Sequence, residues 1–155
     1  VGEEMQLVSN YMTIQHMRYP NKLIYHCDVS ENLYTISIPK FTIQPLVENA
    51  IRYSLMNAVD ICEVSVTAFV SPDQNGNEIL TVRVKNNGSY FEDNILQKLL
   101  NGERQPHGFG IGLLNVLNRL QITYGDPFGL QVYNEYDEDD TYAIAEIRIP
   151  AVSFV

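Results

Sequence analysis

One stretch limits the fold of this chain more than any other. Residues 44–57 place Leu46, Val47, Ala50, Ile51 and Leu55 at helical spacing, which defines one apolar stripe that must be covered by a second layer. On another side of the same helix Asn49, Arg52 and Tyr53 stand three and four residues apart and are surface neighbours. An amide oxygen can ligate a hard cation such as Mg²⁺, which leaves most of its other positions to water and phosphate. A guanidinium beside it can fork onto a phosphate. Taken alone, these three residues read first as a solvated polar face. Residues downstream give them chemical meaning.

The chain has 155 residues, the length of one domain with an ordinary core. With 45% apolar and 19% charged residues its composition is globular rather than disordered. No apolar run approaches the ~18–20 residues that span a bilayer, and no signal peptide opens the sequence. The segment therefore reads as soluble. A helical pattern directly after Val1 reads as a piece cut from a longer protein. The net charge of −9 argues against a nucleic-acid surface, which needs clustered Lys and Arg. Much of it lies in Glu135, Asp137, Glu138, Asp139 and Asp140, which read as a solvated hairpin tip because no glycine bends the run into a calcium loop. Cys27 and Cys62 lack metal or redox spacing and read as small buried hydrophobes in a reducing, cytosolic compartment.

Residues 2–18 read as a helix with Met5, Val8, Tyr11, Met12 and Gln15 along one side, ended by the approach to Pro20. Residues 22–29 alternate as a strand, and residues 33–38 form a short extended piece. Pro45 either stands near the start of the following helix or kinks its first turn. Strands are expected at 62–70 and 78–86, joined by the turn residues Pro72, Asp73, Asn75 and Gly76. A short helix over 91–100 precedes a glycine-rich loop over 102–112. Leu113, Val116, Leu117, Leu120 and Tyr124 then mark a further amphipathic helix. Strands over 130–136 and 142–149 close the chain. This order implies a two-layer α/β sandwich, one sheet covered on one face by helices.

Two loops carry ligand chemistry. Gly108, Gly110 and Gly112 precede a helix, whose free N–H groups and positive end suit phosphate. No strand leads directly into them, so the dinucleotide-binding fingerprint does not apply, and a flexible connector is the plain alternative. Asn86, Asn87 and Gly88 end a strand, where a simple turn is the plain reading. An asparagine amide can also accept from the adenine amino group while donating to a ring nitrogen.

In their order these pieces resemble the ATP-binding domain of sensor histidine kinases, specifically the LytS/YesM-type subgroup of the Bergerat (GHKL) superfamily. The resemblance is carried by Ile38-Pro39-Lys40 with Gln44-Pro45-Leu46-Val47-Glu48-Asn49-Ala50-Ile51, the subgroup's N box, and by Val84-Lys85-Asn86-Asn87-Gly88, its first glycine box. It continues through Gly110-Ile111-Gly112-Leu113, Asn115-Val116, Arg119-Leu120 and Tyr124-Gly125-Asp126. Asn10-Tyr11, Ile14-Gln15 and Arg18-Tyr19 resemble the segment that joins the histidine-bearing domain to the catalytic one.

The resemblance implies a Bergerat fold, a mixed sheet of about five strands covered on one face by three helices. Residues 1–20 would be the helical end of the histidine-bearing domain and residues 21–155 the ATP-binding domain. The cofactors would be ATP and Mg²⁺, with Asn49 holding the metal and Arg52 and Tyr53 near the phosphates. Asn86, Gly88 and Tyr90 would lie at the adenine. Gly108, Phe109, Gly110, Ile111, Gly112 and Leu113 would form a lid hinge and phosphate cradle. Glu48 would polarise a metal-bound water or pair with Arg52. The implied partners are the protein's own histidine-bearing dimerisation domain and a response regulator, with no nucleic acid. The fragment would be monomeric and its parent a homodimer anchored in the inner or plasma membrane, with this domain in the cytoplasm.

Two positions depart from the subgroup: Asn86 stands where aspartate is usual, and Tyr90 where a second glycine is usual. Hydrolytic relatives such as type II topoisomerases carry a water-activating glutamate where this chain has Pro45, so transfer rather than fast hydrolysis is expected. The acceptor histidine of the subgroup lies in a Pro-His-Phe segment that this sequence lacks; His16, His26 and His107 do not match it. Two other classes share the fold: a nucleotide-free docking module, and a serine kinase of the anti-sigma type.

Overall fold

A computed structural model describes residues 1–56, 60–102 and 109–153. Its centre is a five-stranded mixed sheet in the order β1-β2-β3-β5-β4. The strands are β1 (Leu23–Asp28), β2 (Cys62–Pro72), β3 (Glu78–Asn87), β4 (Gly129–Tyr136) and β5 (Thr141–Pro150). Only β1 and β2 run parallel, and the other pairs are antiparallel. Four helices are described: α1 (Gly2–Arg18), α2 (Ile43–Met56), α3 (Ile95–Leu100) and α4 (Phe109–Tyr124). The two-layer α/β sandwich is thus as the sequence implied. The four described helices correspond to the four helical segments read from the sequence.

The sheet's alternation explains its two faces. Val64 and Val66 of β2, Leu80, Val82 and Val84 of β3, and Ala145, Ile147 and Ile149 of β5 join one buried core with the helices. On the opposite face Arg83 pairs with Glu146 at 2.6 Å and Lys85 with Glu135 at 2.8 Å. Arg83, Lys85 and Glu135 there remain partly exposed, whereas Glu146 is buried beneath its pair with Arg83.

Helix α2 buries Leu46, Val47, Ala50 and Ile51 of the predicted stripe, and Ile43 with them, while Leu55 is half-buried. Each fully buried aliphatic side chain of this kind contributes roughly 1.5–3 kcal/mol. Pro45 falls in the first helical turn, where its missing N–H has no intrahelical partner to lose. The first helix buries Met5, Val8 and Met12 in the same core cluster, so it is part of this domain's packing.

Its Glu4 does something the sequence did not announce. The carboxylate is 3% exposed and accepts from the backbone N–H groups of Phe41 (2.7 Å), Thr42 (3.0 Å) and Ile43 (2.9 Å). It therefore caps the positive end of α2 from another helix, in place of the local Ser, Thr, Asp or Asn cap. From the other side, Arg119 Nη1 of α4 donates to the carbonyls of Lys40 (2.6 Å) and Phe41 (2.8 Å). Phe41 is held at φ 58°, an unusual conformation for an aromatic residue, with both its N–H and its C=O engaged.

Four local expectations are corrected. The extended piece expected over 33–38 is shorter: a 3₁₀ turn over Glu31–Leu33 comes first, and one bridge follows between Ile36 and Ser153. The helix expected over 91–100 starts only at Ile95, because Asn134 clamps Phe91, accepting from its N–H at 2.6 Å and donating to its C=O at 2.9 Å. Residues 109–112 lie in α4 rather than in a loop, since the Leu113, Val116, Leu117 and Leu120 stripe carries the helix back through two glycines. Cys62 is buried as expected, and burial pushes its thiol pKa up, but Cys27 is exposed on edge strand β1.

Replacing Glu4 by Gln keeps its size but turns an amino group toward backbone donors and removes the charge. We expect Glu4→Gln to cost about 2–3 kcal/mol. In urea unfolding the midpoint should fall with the slope unchanged; a midpoint equal to wild type would show that the cap is dispensable.

Candidate functional site

Asn49 sits on the flank of the buried stripe of α2 and is 8% exposed, so it does not belong to a solvated face. Its side chain has no hydrogen-bond partner among the described residues, yet no fully enclosed polar atom is left unpaired, so the amide still reaches solvent. A nearly buried amide left open in this way is uncommon in a settled interior. Arg52 is exposed and Tyr53 half-buried on the next turn, and both are engaged elsewhere in the chain. Glu48 accepts from Gln44 Nε2 at 3.0 Å, and no described ion pair joins it to Arg52. Glu48 and Arg52 instead both lie close enough to act on the Tyr11 hydroxyl of α1, whose pKa is raised by burial first and by the Glu48 charge next, with Arg52 opposing.

At the far end of β3 two consecutive asparagines have different tasks. Asn87 is fully committed to structure. Its Oδ1 accepts from Ser54 Oγ of α2 (3.0 Å) and from Glu63 N–H of β2 (2.8 Å), and its Nδ2 donates to the Ile61 carbonyl (2.8 Å). Asn86 is 3% exposed, paired in register with Val64 on one side and Ala143 on the other. Its Nδ2 donates to the Asn87 carbonyl (3.0 Å) and to Ser89 Oγ (2.6 Å). Both amide hydrogens are thus spent within the protein, whereas Oδ1 has no described partner and keeps contact with solvent. The donating half of the adenine contact read from the sequence is overturned; the accepting half stands open.

Gly88 takes φ 73°, a region that favours glycine, and its N–H is shared between the Thr141 carbonyl (2.8 Å) and Asp140 Oδ1 (3.1 Å). This contact ties the end of β3 to the acidic hairpin tip. Tyr90 is 68% exposed.

Gly110, Ile111, Gly112 and Leu113 belong to the first turns of α4, with Leu113 buried and Ile111 exposed. They are therefore a helix start and not a hinge. At Gly112 a Cβ would lie 3.8 Å from Pro45 Cβ, ordinary contact distance, and no unusual φ requires glycine there. Glycine costs a helix about 1 kcal/mol relative to alanine, so neither local packing nor backbone conformation accounts for it. A bare backbone beside helix N–H groups is what close approach of a phosphate needs. Gly108 and His107 lie outside the described residues, as do residues 103–108 of the lid expected over 102–112; Phe109 opens α4, and its side chain is likewise outside the description.

A cavity of about 680 Å³ opens elsewhere, between residues 91–97 and β4, lined by Phe91, Ile95, Leu96, Leu130, Val132 and Tyr133 among others. It contains none of the predicted site residues. Among the described residues no cluster of three His, Cys, Asp or Glu side chains is placed to hold a metal, and no helix is long and apolar enough to cross a membrane.

No protein-family model matches the chain. It is 32% identical over 138 residues to the sensor histidine kinase YesM of Bacillus subtilis, covering 89% of this chain and 22% of that protein. It is 30% identical over 139 residues to the sensor protein LytS of Bacillus cereus, covering 88% of this chain and 22% of the relative. The chain therefore spans 22% of the length of these curated relatives. Among solved structures, the nucleotide-free catalytic domain of the histidine kinase ThkA aligns over 94% of this chain and 92% of its own, with a TM-score of 0.63 at 16% identity. ThkA in complex with the response regulator protein TrrA aligns over 96% of this chain and 40% of that one, at TM-score 0.54 and 17% identity. These structures share the fold.

The clamp at Asn87 makes a direct prediction. Asn87→Ala removes three hydrogen bonds, one buried and two part-buried, that fasten β3 to β2 and α2, and should destabilise the domain by roughly 2–3 kcal/mol. Thermal unfolding checks it; an unchanged midpoint would assign those bonds no net worth.

Proposed function

This chain belongs to the family of sensor histidine kinases that includes YesM and LytS, and we propose that it is the ATP-binding catalytic domain of such a kinase. In this reading it binds Mg-ATP and passes the γ-phosphoryl group to a histidine on a separate domain. Residues 1–20 continue from that histidine-bearing domain, and residues 21–155 carry the nucleotide. The parent is a membrane-anchored homodimer with this domain in the cytoplasm, and a response regulator receives the phosphoryl group next. The ThkA–TrrA complex supports a partner of that kind.

The observation that carries the reading is the open amide of Asn49, nearly buried on α2 and without a described protein partner. Its oxygen suits a Mg²⁺ ion whose remaining positions are filled by water and phosphate oxygens. Mg²⁺, when bound, neutralises charge developing on the transferred group. Arg52 and Tyr53 would steer the phosphates, the start of α4 over 109–113 would receive them on backbone N–H groups, and Glu48 would orient a metal-bound water. Gly88 and Asn86 Oδ1 would meet the adenine end. Pro45 offers no proton acceptor where hydrolytic relatives need one, which favours transfer over loss of the phosphate to water.

Asn49→Ala deletes the proposed metal ligand without disturbing the stripe. Isothermal titration with ATP, with and without Mg²⁺, should show Mg²⁺-dependent binding in wild type and at least a tenfold loss in the variant, about 1.4 kcal/mol or more. Wild-type affinity in Asn49→Ala would remove Asn49 from the site. Absence of saturable binding in wild type would favour the nucleotide-free docking module.

A further inference from the structure

We propose that Glu4 is a positioning residue of the nucleotide site: by capping α2 from α1 it fixes where Asn49 stands, so that Mg²⁺-ATP affinity depends on how α1 is docked. The inference rests on the ATP-binding reading above and adds to it a residue that acts from outside the site.

Helix α2 does not close its own start. Thr42 stands in the N-cap position, where a hydroxyl accepts from the second or third helical N–H, but the third position is Pro45, which has none. Thr42 Oγ1 donates instead to the Pro39 carbonyl at 2.6 Å. The N–H groups of Phe41, Thr42 and Ile43 all turn to one acceptor, the Glu4 carboxylate, at 2.7, 3.0 and 2.9 Å. At 3% exposure that carboxylate is screened from water, so the three charge-assisted bonds are strong and directional.

Direction is what apolar packing alone does not supply. Met5, Val8 and Met12 of α1 share a core with Leu46, Val47 and Ala50 of α2, but apolar contact is non-directional and would tolerate a small slide of one helix along the other. Three bonds onto consecutive peptide groups fix α2 both along its axis and about it. Asn49 lies six residues beyond Ile43, roughly 9 Å of helical rise, and a rigid helix carries a shift at its start to that point. Mg²⁺ holds its ligands at ~2.0–2.1 Å in near-ideal geometry, so a single amide oxygen that is displaced loses its bond. On the other side Arg119 of α4 donates to the carbonyls of Lys40 and Phe41, which ties the same junction to the helix proposed to receive the phosphates.

The experiment reads Mg²⁺-ATP affinity by calorimetry in wild type, Glu4→Gln, Asn49→Ala and the double variant, at a temperature where each is folded by circular dichroism. Glu4→Gln should bind about tenfold more weakly, the lower end of what an outer partner of a metal site costs. In the Asn49→Ala background the same change should cost about twofold at most, because its effect runs through Asn49. A second measurement needs no variant. Saturating Mg²⁺-ATP should slow backbone amide exchange at Phe41, Thr42 and Ile43 by about tenfold. It should leave Asn75 and Asn77 unchanged, whose amides are likewise held by a carboxylate, Asp73, but at the β2–β3 turn. Wild-type affinity in folded Glu4→Gln, or additive losses in the double variant, overturns this inference alone. So does unchanged exchange at residues 41–43 in the saturated protein, even where Glu4→Gln fails to fold. Wild type that binds no ATP overturns the ATP-binding reading and this inference with it.

Discussion

The buried carboxylate of Glu4 is the interaction on which the arrangement of the helices depends. A charge at 3% exposure is costly unless fully engaged, and none of the described ion pairs includes Glu4. It is stabilised instead by three backbone N–H groups at the positive end of α2. The same peptide units give their carbonyls to Arg119. Residues 40–43 are therefore gripped between α1 and α4 at the point where α2 begins. Since Asn49 lies less than two turns further along, its placement is inherited from two other helices. In the proposed kinase, where α1 leads from the histidine-bearing domain, motion of α1 would act on this start of α2 directly.

The second constraint is at the end of β3. Asn87 spends every polar atom on holding β3 to Ile61, Glu63 and Ser54, and in doing so fixes its own carbonyl. That carbonyl orients the amide of Asn86. One asparagine thus supplies the frame and its neighbour the open group. The hierarchy explains how the end of a strand can be held precisely: in the proposed site the open atom is fixed by atoms already committed to the fold.

Local signals in the sequence were sufficient for most of the architecture. The period of Leu46, Val47, Ala50 and Ile51 marks α2, and the turn between β2 and β3 is written in Asp73, whose carboxylate accepts from Asn75 and Asn77, holding its pKa below the usual carboxylate range. What was illegible is what depends on partners far along the chain. Glu4 reads as an ordinary first-turn acid, because its three partners lie 37 to 39 residues away. Phe91 reads as the start of a helix until Asn134, 43 residues on, claims its backbone. Glycines at 110 and 112 read as loop because local propensity opposes a helix, and only burial of Leu113, Val116, Leu117 and Leu120 overrides it. In the proposed site, the motifs single out Asn49, Asn86 and Gly88, but the hydrogen bonds of Ser89 and Asn87 are visible only in the folded network. A serine three residues after Asn86 carries no sign of which amide atom it will engage.

The contact between Pro45 and Gly112 joins these themes to chemistry. Both stand in the first turns of their helices, α2 and α4, and a Cβ on Gly112 would just touch Pro45. Proline at this point is tolerated because the first turn has no hydrogen bond for it to break, and the cap from Glu4 ends at Ile43, two residues earlier. In the proposed active site the consequence is selective. The start of α4 can come close to phosphate while the neighbouring position on α2 offers neither a base nor a polar atom to activate water. Glu48 is the carboxylate nearest to Asn49 in sequence, and Gln44 already holds it. A site built in this way positions a phosphoryl group and leaves the nucleophile to be brought by another domain. That division of labour is what distinguishes a transferase from a hydrolase on a shared fold.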